Sequence, residues 1–161
     1  MDNTVILAKL QARYGTDLLS ADPMADIFTV VVSSPVIHDT ISFLKSEGFQ
    51  FLTDLTGIHY PDQELEFGIV YHMHDLRKNA RIRIKTFVSR QKPVVPTMTD
   101  LFASANWMER ETYDFYGILF EGHPNLMRIL NVEYMDYFPM RKEYPLEDAT
   151  REDKDDRYFG R

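Results

Sequence analysis

Apolar and polar positions along the chain follow two periods. Leu65, Phe67, Ile69, Tyr71 and Met73 alternate with Glu66, Gly68, Val70, His72 and His74. Ile82, Ile84, Thr86 and Val88 alternate with Arg81, Arg83, Lys85 and Phe87. Period two in neighbouring runs, joined by the polar connection 75–80, predicts an antiparallel hairpin of half-buried strands. Residues 51–60 read as another strand, closed by the Pro61-Asp62 turn signal, with Gly57 marking a bulge or close packing. Residues 27–33 are β-branched and nearly all apolar, which predicts a strand buried on both faces.

Helical spacing appears elsewhere. Ile37, Ile41 and Leu44 repeat behind Ser34-Pro35, an N-cap followed by proline at the first helical position, and the pattern stops at Gly48. Val5, Ala8, Leu10 and Ala12 lie in a segment without Pro or Gly before Gly15 and predict a first helix of modest length. Pro93 and Pro96 end the sheet region, and a short helix is expected within 97–105. Asn106 and Glu109 make a capping-box-like start for a helix through Tyr116, with Gly117 as its C-cap. From Met140 onward little alternates, so one compact body followed by an extended arm is expected.

Composition narrows the function. With 161 residues, 44% hydrophobic and 13% aromatic, the chain can build one real core. A net charge of −7 argues against wholesale binding to nucleic acid or anionic lipid. The cysteine count is zero, which removes all-cysteine iron–sulfur clusters, Cys-based zinc sites and disulfides at once. No glycine spacing matches a dinucleotide or P-loop fingerprint, and no nucleophile elbow or zinc-protease helix is present. The longest apolar run, 27–32, is interrupted by Thr29 and no basic segment opens the chain, so membrane association is expected only through partners.

Three clusters remain as candidate chemistry. His72 and His74 share one strand face and, with Glu66, could offer metal ligands; without a third strong ligand nearby, a polar outer face is the better reading. Arg77, Lys78, Arg81, Arg83, Lys85, Arg90 and Lys92 place seven of the 18 basic residues in one stretch without an acid. Only Phe87 supplies an aromatic beside them, so a solvated strand face or a docking surface for an acidic protein partner fits better than nucleic acid. Glu109, Arg110, Glu111 and Asp114 crowd one helix; the helix dipole and an Arg110–Asp114 pair at i, i+4 account for much of this. Glu111 and Asp114 as a paired-carboxylate site are the sharper alternative.

The most specific text runs from Trp107. It reads Glu109-Arg110-Glu111-Thr112-Tyr113-Asp114-Phe115-Tyr116-Gly117, then Gly122-His123-Pro124, then Arg128-Ile129-Leu130, then Pro139-Met140-Arg141-Lys142-Glu143-Tyr144-Pro145-Leu146. This resembles the C-type subunit (30 kDa-type subunit) of the proton-pumping NADH:quinone oxidoreductase, respiratory complex I. That family's signature is E-R-E-x-x-D, a G-H-P turn and a later P-L-R-K-[DE]-Y; Met140 stands at the usual leucine, Met127 at a usual basic or proline position, and a glycine expected before Pro139 is missing. Weaker likeness reaches back through 85–90 and 52–56.

The resemblance implies a small α+β domain over 1–139, a two-layer arrangement of a mixed, largely antiparallel sheet packed against helices, with an extended C-terminal arm over 140–161. It implies a scaffold of the peripheral arm with no catalytic, metal or cofactor site of its own. FMN, iron–sulfur clusters and quinone would be held by other subunits, and this chain would pack against the quinone-site (D-type) subunit. The complex would sit on the cytoplasmic side of the bacterial inner membrane. Glu109, Arg110, Glu111, Asp114, Gly117, Arg128 and Pro139 would serve the subunit interface, His123 and Pro124 would set a turn returning 126–130 to the body, and Arg141, Lys142 and Tyr144 would anchor the arm on a neighbour. The equivalent subunit of a membrane-bound hydrogenase or another quinone-linked dehydrogenase is the nearest alternative. A stand-alone hydrolase or lyase using Glu111, Asp114 and His123, or a nucleic-acid module, are the rivals from other classes.

Overall fold

The alternation of residues 65–88 becomes a hairpin of two nine-residue strands, β4 (Phe67–Asp75) and β5 (Ala80–Val88), with His72 opposite Arg83 and Tyr71 opposite Ile84. Its turn is tied by the Asp75 carboxylate, which accepts hydrogen bonds from the backbone N–H of Arg77 (2.9 Å) and Lys78 (3.2 Å). Asn79 adopts the left-handed conformation (φ 47°) that asparagine tolerates better than most residues. The computed structural model describes residues 3–144.

Before this hairpin come helix α1 (Asn3–Tyr14), strands β1 (Leu18–Asp22) and β2 (Phe28–Val32), helix α2 (Ile37–Ser46) and strand β3 (Phe51–His59). After it come β6 (Val94–Pro96), helix α3 (Ala105–Tyr116) and β7 (Leu119–Glu121). The main sheet has the order β1-β2-β5-β4-β3, with β2 parallel to β5 and the other pairs antiparallel; β6 and β7 pair in parallel as a small second sheet. The result is the expected α+β class with a mixed, largely antiparallel sheet.

The core lies on one sheet face. Phe28, Val30, Val32, Ile69, Tyr71, Ile82 and Ile84 point into it and meet Ile6, Leu10, Ile37, Ile41 and Leu44 from the first two helices. Helix α3 packs on β3 through a close approach: a Cβ on Gly57 would lie 2.7 Å from the Tyr116 ring. Of the two roles open to Gly57, close packing is the one observed, because the register shift falls between Leu52 and Asp54.

Several local expectations change. Strand β2 is buried on one face and only half-buried on the other, since Thr29 and Val31 lie on the side without helices. Edge strand β1 gives no periodic signal because its residues are only half-buried or exposed. Helix α1 buries Ile6, Leu10 and Tyr14, spaced by four, while Val5 is exposed. Pro35 opens a 3₁₀ turn (Ser34–Val36) that leads into α2, and the turn's N-cap residue, Ser33, makes no capping hydrogen bond; its hydroxyl bonds Asp17 instead (2.6 Å). Pro93 and Pro96 do not end sheet formation, because Val94 to Pro96 pair with β7. Residues 97–104 make turns and no helix, and α3 begins at Ala105 without side-chain capping. Gly117 is the C-cap as expected, left-handed at φ 73°.

Candidate subunit-docking site

Helix α3 carries an acid where its dipole disfavours one. Asp114 lies in the last turn, near exposed carbonyls, so a stable carboxylate there needs compensating donors. Its Oδ2 accepts the backbone N–H of Ile129 (3.1 Å), Leu130 (2.8 Å) and Asn131 (2.9 Å). Its Oδ1 accepts Arg128 Nη1 (2.8 Å) and Asn131 Nδ2 (3.1 Å). Burial pushes this carboxyl up, but the donors outweigh it and hold the group well below the usual carboxylate range.

Arg128 directs its other donors to backbone. Nη1 also reaches the Asp114 carbonyl (3.0 Å), Nη2 reaches the carbonyls of Met135 (2.9 Å) and Tyr137 (3.0 Å), and the guanidinium lies 4.9 Å from the Phe138 ring centroid. One buried ion pair therefore fixes both ends of the loop 128–137.

A second attachment begins at Gly117. Arg141 Nε donates to the Tyr116 carbonyl (2.8 Å), and its guanidinium sits 5.0 Å from the Phe67 ring centroid and 4.6 Å from that of Phe138. A Cβ at residue 117 would lie 2.6 Å from both Arg141 and Phe138, so glycine answers a packing need as well as a positive φ. The Lys142 N–H donates to His59 Nδ1 (2.9 Å), which leaves Nε2–H to face Glu66 (3.2 Å). Arg90 joins Glu66 to Glu143 (3.5 and 2.7 Å), and Tyr144 rests against Tyr137 with ring centroids 4.9 Å apart. Residues 140–144 thus turn back onto the body, where an extended course was expected; the remainder of the expected arm lies outside the described residues.

Glu109 does different work from the capping box expected of it. Its carboxylate is buried and accepts Thr97 Oγ1 (2.5 Å) and the Met98 N–H (2.6 Å), tying α3 to the segment just after β6. Burial dominates and raises its pKa to about 7 despite those bonds. The nearby Tyr71 hydroxyl is buried without a hydrogen-bond partner among the described residues, and its pKa is raised by burial and by the Glu109 charge.

Arg110 does not pair with Asp114. It donates to the carbonyls of Met127 (3.2 Å) and Arg128 (3.4 Å) and stacks on Trp107, 5.0 Å from the ring centroid. Glu111 is exposed while Asp114 is buried and fully engaged by donors, so the paired carboxylates do not form. His123 Nε2 donates to the Asn106 carbonyl (3.2 Å) while Nδ1 accepts the Asn125 N–H (3.0 Å), so His123 and Pro124 do form a turn held to α3. The turn returns Leu126 and Arg128 to the body and leaves Leu130 in solvent. Pro139 lies in the turn whose Met140 N–H reaches the Phe115 carbonyl (3.2 Å).

What this locked loop shows to solvent is a run of large apolar groups with Glu133 and Asp136 among them. Leu130 is 64% exposed and Tyr134 88%, with Met127, Val132, Tyr137 and Met140 also exposed. Apolar groups held rigidly outward over a connected stretch mark an interaction surface. His59, Glu143 and Thr97 complete the attachments; no motif contained His59 or Thr97, and Glu143 stood in the signature without a stated role. The one available signal was Asp114 itself, an acid at the wrong end of a helix.

The candidate metal ligands His72, His74 and Glu66 have separate partners. His72 Nε2 accepts Arg83 Nε (2.8 Å) and its Nδ1 faces Asp54 (3.3 Å), His74 bonds Asn79 (3.2 Å), and Glu66 turns to His59 and Arg90. Among the described residues no three acidic, histidine or cysteine side chains are grouped to hold a metal, and no helix is long and apolar enough to cross a membrane.

Fold and site together define an α+β domain whose buried charges hold an apolar loop outward, the construction of one member of a larger assembly. Residues 30–150 match the family model described as respiratory-chain NADH dehydrogenase, 30 Kd subunit, and the chain belongs to that family. It is 37% identical over 142 residues to the C subunit of the NADH-quinone oxidoreductase of Rhodospirillum rubrum, covering 86% of this chain and 66% of that protein. It is 39% identical over 149 residues to the equivalent protein of Roseiflexus castenholzii, covering 91% and 86%. With the mitochondrial NADH dehydrogenase [ubiquinone] iron-sulfur protein 3 of Candida albicans the identity is 40% over 144 residues, 83% of this chain and 51% of that one.

The chain spans only about half to two thirds of the length of several such relatives. A solved trypsin-resistant fragment of Nqo5 superposes with a TM-score of 0.69 at 32% identity, covering 78% of this chain and all of the fragment. A chain of an archaeal membrane-bound sulfane sulfur reductase has the same fold, with a TM-score of 0.78 at 22% identity over 91% of this chain and 87% of that chain. The name of the Candida relative mentions iron and sulfur, but a chain without cysteine lacks the thiolates such a cluster usually takes.

Proposed function

We propose that this chain is a scaffold subunit of the peripheral arm of an NADH:quinone oxidoreductase, placed on the cytoplasmic side of a bacterial inner membrane. Its part is to hold neighbouring subunits in register. NADH oxidation, FMN and iron–sulfur chemistry and quinone reduction belong to those neighbours, and the quinone-site (D-type) subunit is the partner proposed for the 127–144 surface. The observation that carries this reading is the Asp114–Arg128 lock beneath a loop with Leu130 and Tyr134 in solvent. Internal charges fix a shape, and the exposed apolar groups give that shape something to bind.

The relatives named as an NADH-quinone oxidoreductase component or as a mitochondrial NADH dehydrogenase protein support the choice of complex. The test is affinity purification of the tagged full chain from mildly solubilised membranes, with its partners identified by mass spectrometry. Co-purification of the quinone-site subunit together with the flavin- and NADH-binding subunits supports the proposal. Recovery with hydrogenase subunits instead, or of the chain alone, overturns it.

A further inference from the structure

The helices leave one face of the main sheet uncovered, and that face is not uniformly polar. Four strands contribute a row across it, Thr56–Val70–Lys85–Val31, as set by the pairings of β3 with β4, β4 with β5 and β5 with β2. A neighbouring row reads Asp54–His72–Arg83–Thr29. Phe87, under the Tyr60 ring at 5.9 Å, closes one end of the face.

The two rows are electrically different. In the second, Asp54, His72 and Arg83 are linked in sequence (3.3 and 2.8 Å). In the first, Lys85 has no ion-pair or hydrogen-bond partner among the described residues, although it is half-buried between Val70 and Val31. Arg81, two residues before Arg83 on the same face, is likewise unpaired among the described residues, and it borders a hollow of about 370 Å³ with Thr53, Asp54, His72 and His74.

A half-buried ammonium gives up hydration without a compensating carboxylate, which an apposed acid would supply. Three nine-residue strands and two five-residue strands about 4.8 Å apart give a footprint of roughly 600 Å², about three quarters of one side of a standard interface. Nucleic acid is a poor occupant: the one aromatic at hand, Phe87, is already covered by Tyr60.

The geometry points to this open sheet face as a second docking surface, separate from the 127–144 loop, for an acidic segment of a partner protein. Carboxylates of that segment meet Lys85 and Arg81, and its apolar side chains cover the half-buried Val31 beside Lys85. The chain would then be clasped from two sides, by an apolar contact at its C-terminal loop and a charge-directed one at its sheet.

A photo-crosslinking amino acid placed at Thr56 of the full chain in intact cells tests this, with the adducts sequenced by mass spectrometry. The expected adduct is a peptide of a different chain in which Asp or Glu is flanked by apolar residues. Its yield should fall at least fivefold in Lys85→Glu and less in Lys85→Gln, with the thermal melting of both variants unchanged. Adducts to a second copy of this chain, to residues 145–161 of the same chain, to lipid or to RNA overturn the inference, as does no adduct or a yield indifferent to Lys85→Glu. A probe at Leu130 run in parallel reports the other surface, so its adduct distinguishes failure of the sheet face from failure of the docking loop.

Discussion

Asp114 and Arg128 meet at 2.8 Å inside the protein, and the pair connects the last turn of α3 to both ends of the loop that follows. Breaking such a pair is far more damaging than never having had it, because the survivor stays buried and uncompensated. Asp114→Asn should cost about 3–5 kcal/mol of stability. Denaturant unfolding measures the loss, and limited proteolysis should show cleavage moving into 128–137. The double variant Asp114→Asn/Arg128→Met should lose less than the two single losses added together. The folded carboxyl is depressed, so its contribution is present above the unfolded pKa near 3.9 and disappears as pH falls through the folded value.

Glu109 behaves in the opposite sense. Its folded pKa of about 7 lies above the unfolded value of 4.5, so the native state binds the extra proton between those two pH values. Stability therefore declines as pH rises from about 4.5 to 7 and is level beyond. At about 1.4 kcal/mol per unit, Glu109→Gln should gain up to roughly 3 kcal/mol on the wild type between pH 4.5 and 8. Parallel urea titrations at pH 5 and pH 8 check this; equal differences at the two pH values would contradict it.

Gly57→Ala brings a methyl group to 2.7 Å from the Tyr116 ring. The ring belongs to a packed helix end and cannot swing clear, so a loss of about 1–3 kcal/mol is expected. Pairing it with Tyr116→Leu should recover part of that loss, which thermal unfolding of the single and double variants would reveal.

Leu130→Asp and Tyr134→Asp alter side chains that already face water. Stability should change by no more than about 0.5 kcal/mol. Recovery of the assembled complex on native gels should nevertheless fall several-fold, and normal assembly in both variants would remove the role given to this surface.

Period two made the hairpin legible because β5 and the second half of β4 bury alternate residues, whereas Phe67 to Tyr71 of β4 are all buried. The strand at 18–22 left no such trace, since an edge strand can be held by backbone bonds alone, and β6 and β7 are too short to show a period. The signature residues were legible as a group, but not their partners. Arg110 and Asp114 sit at ideal helical spacing, yet each bonds a distant backbone, because a buried carboxylate is better satisfied by three converging N–H groups than by one exposed neighbour. Glu109 reads as a capping residue only while Thr97 and Met98 are thought to lie elsewhere.

The bond from the Lys142 N–H to His59 spans 83 positions of sequence, and Arg141 beside it needs Tyr116 and Phe67 already in place. Contacts of that range close late, after the loops they bridge have been shortened by other structure. The apolar loop consequently acquires its outward shape only on a finished sheet and helix. A chain arrested midway would offer neighbours the right residues in the wrong arrangement, so the surface that recruits partners doubles as a certificate of complete folding.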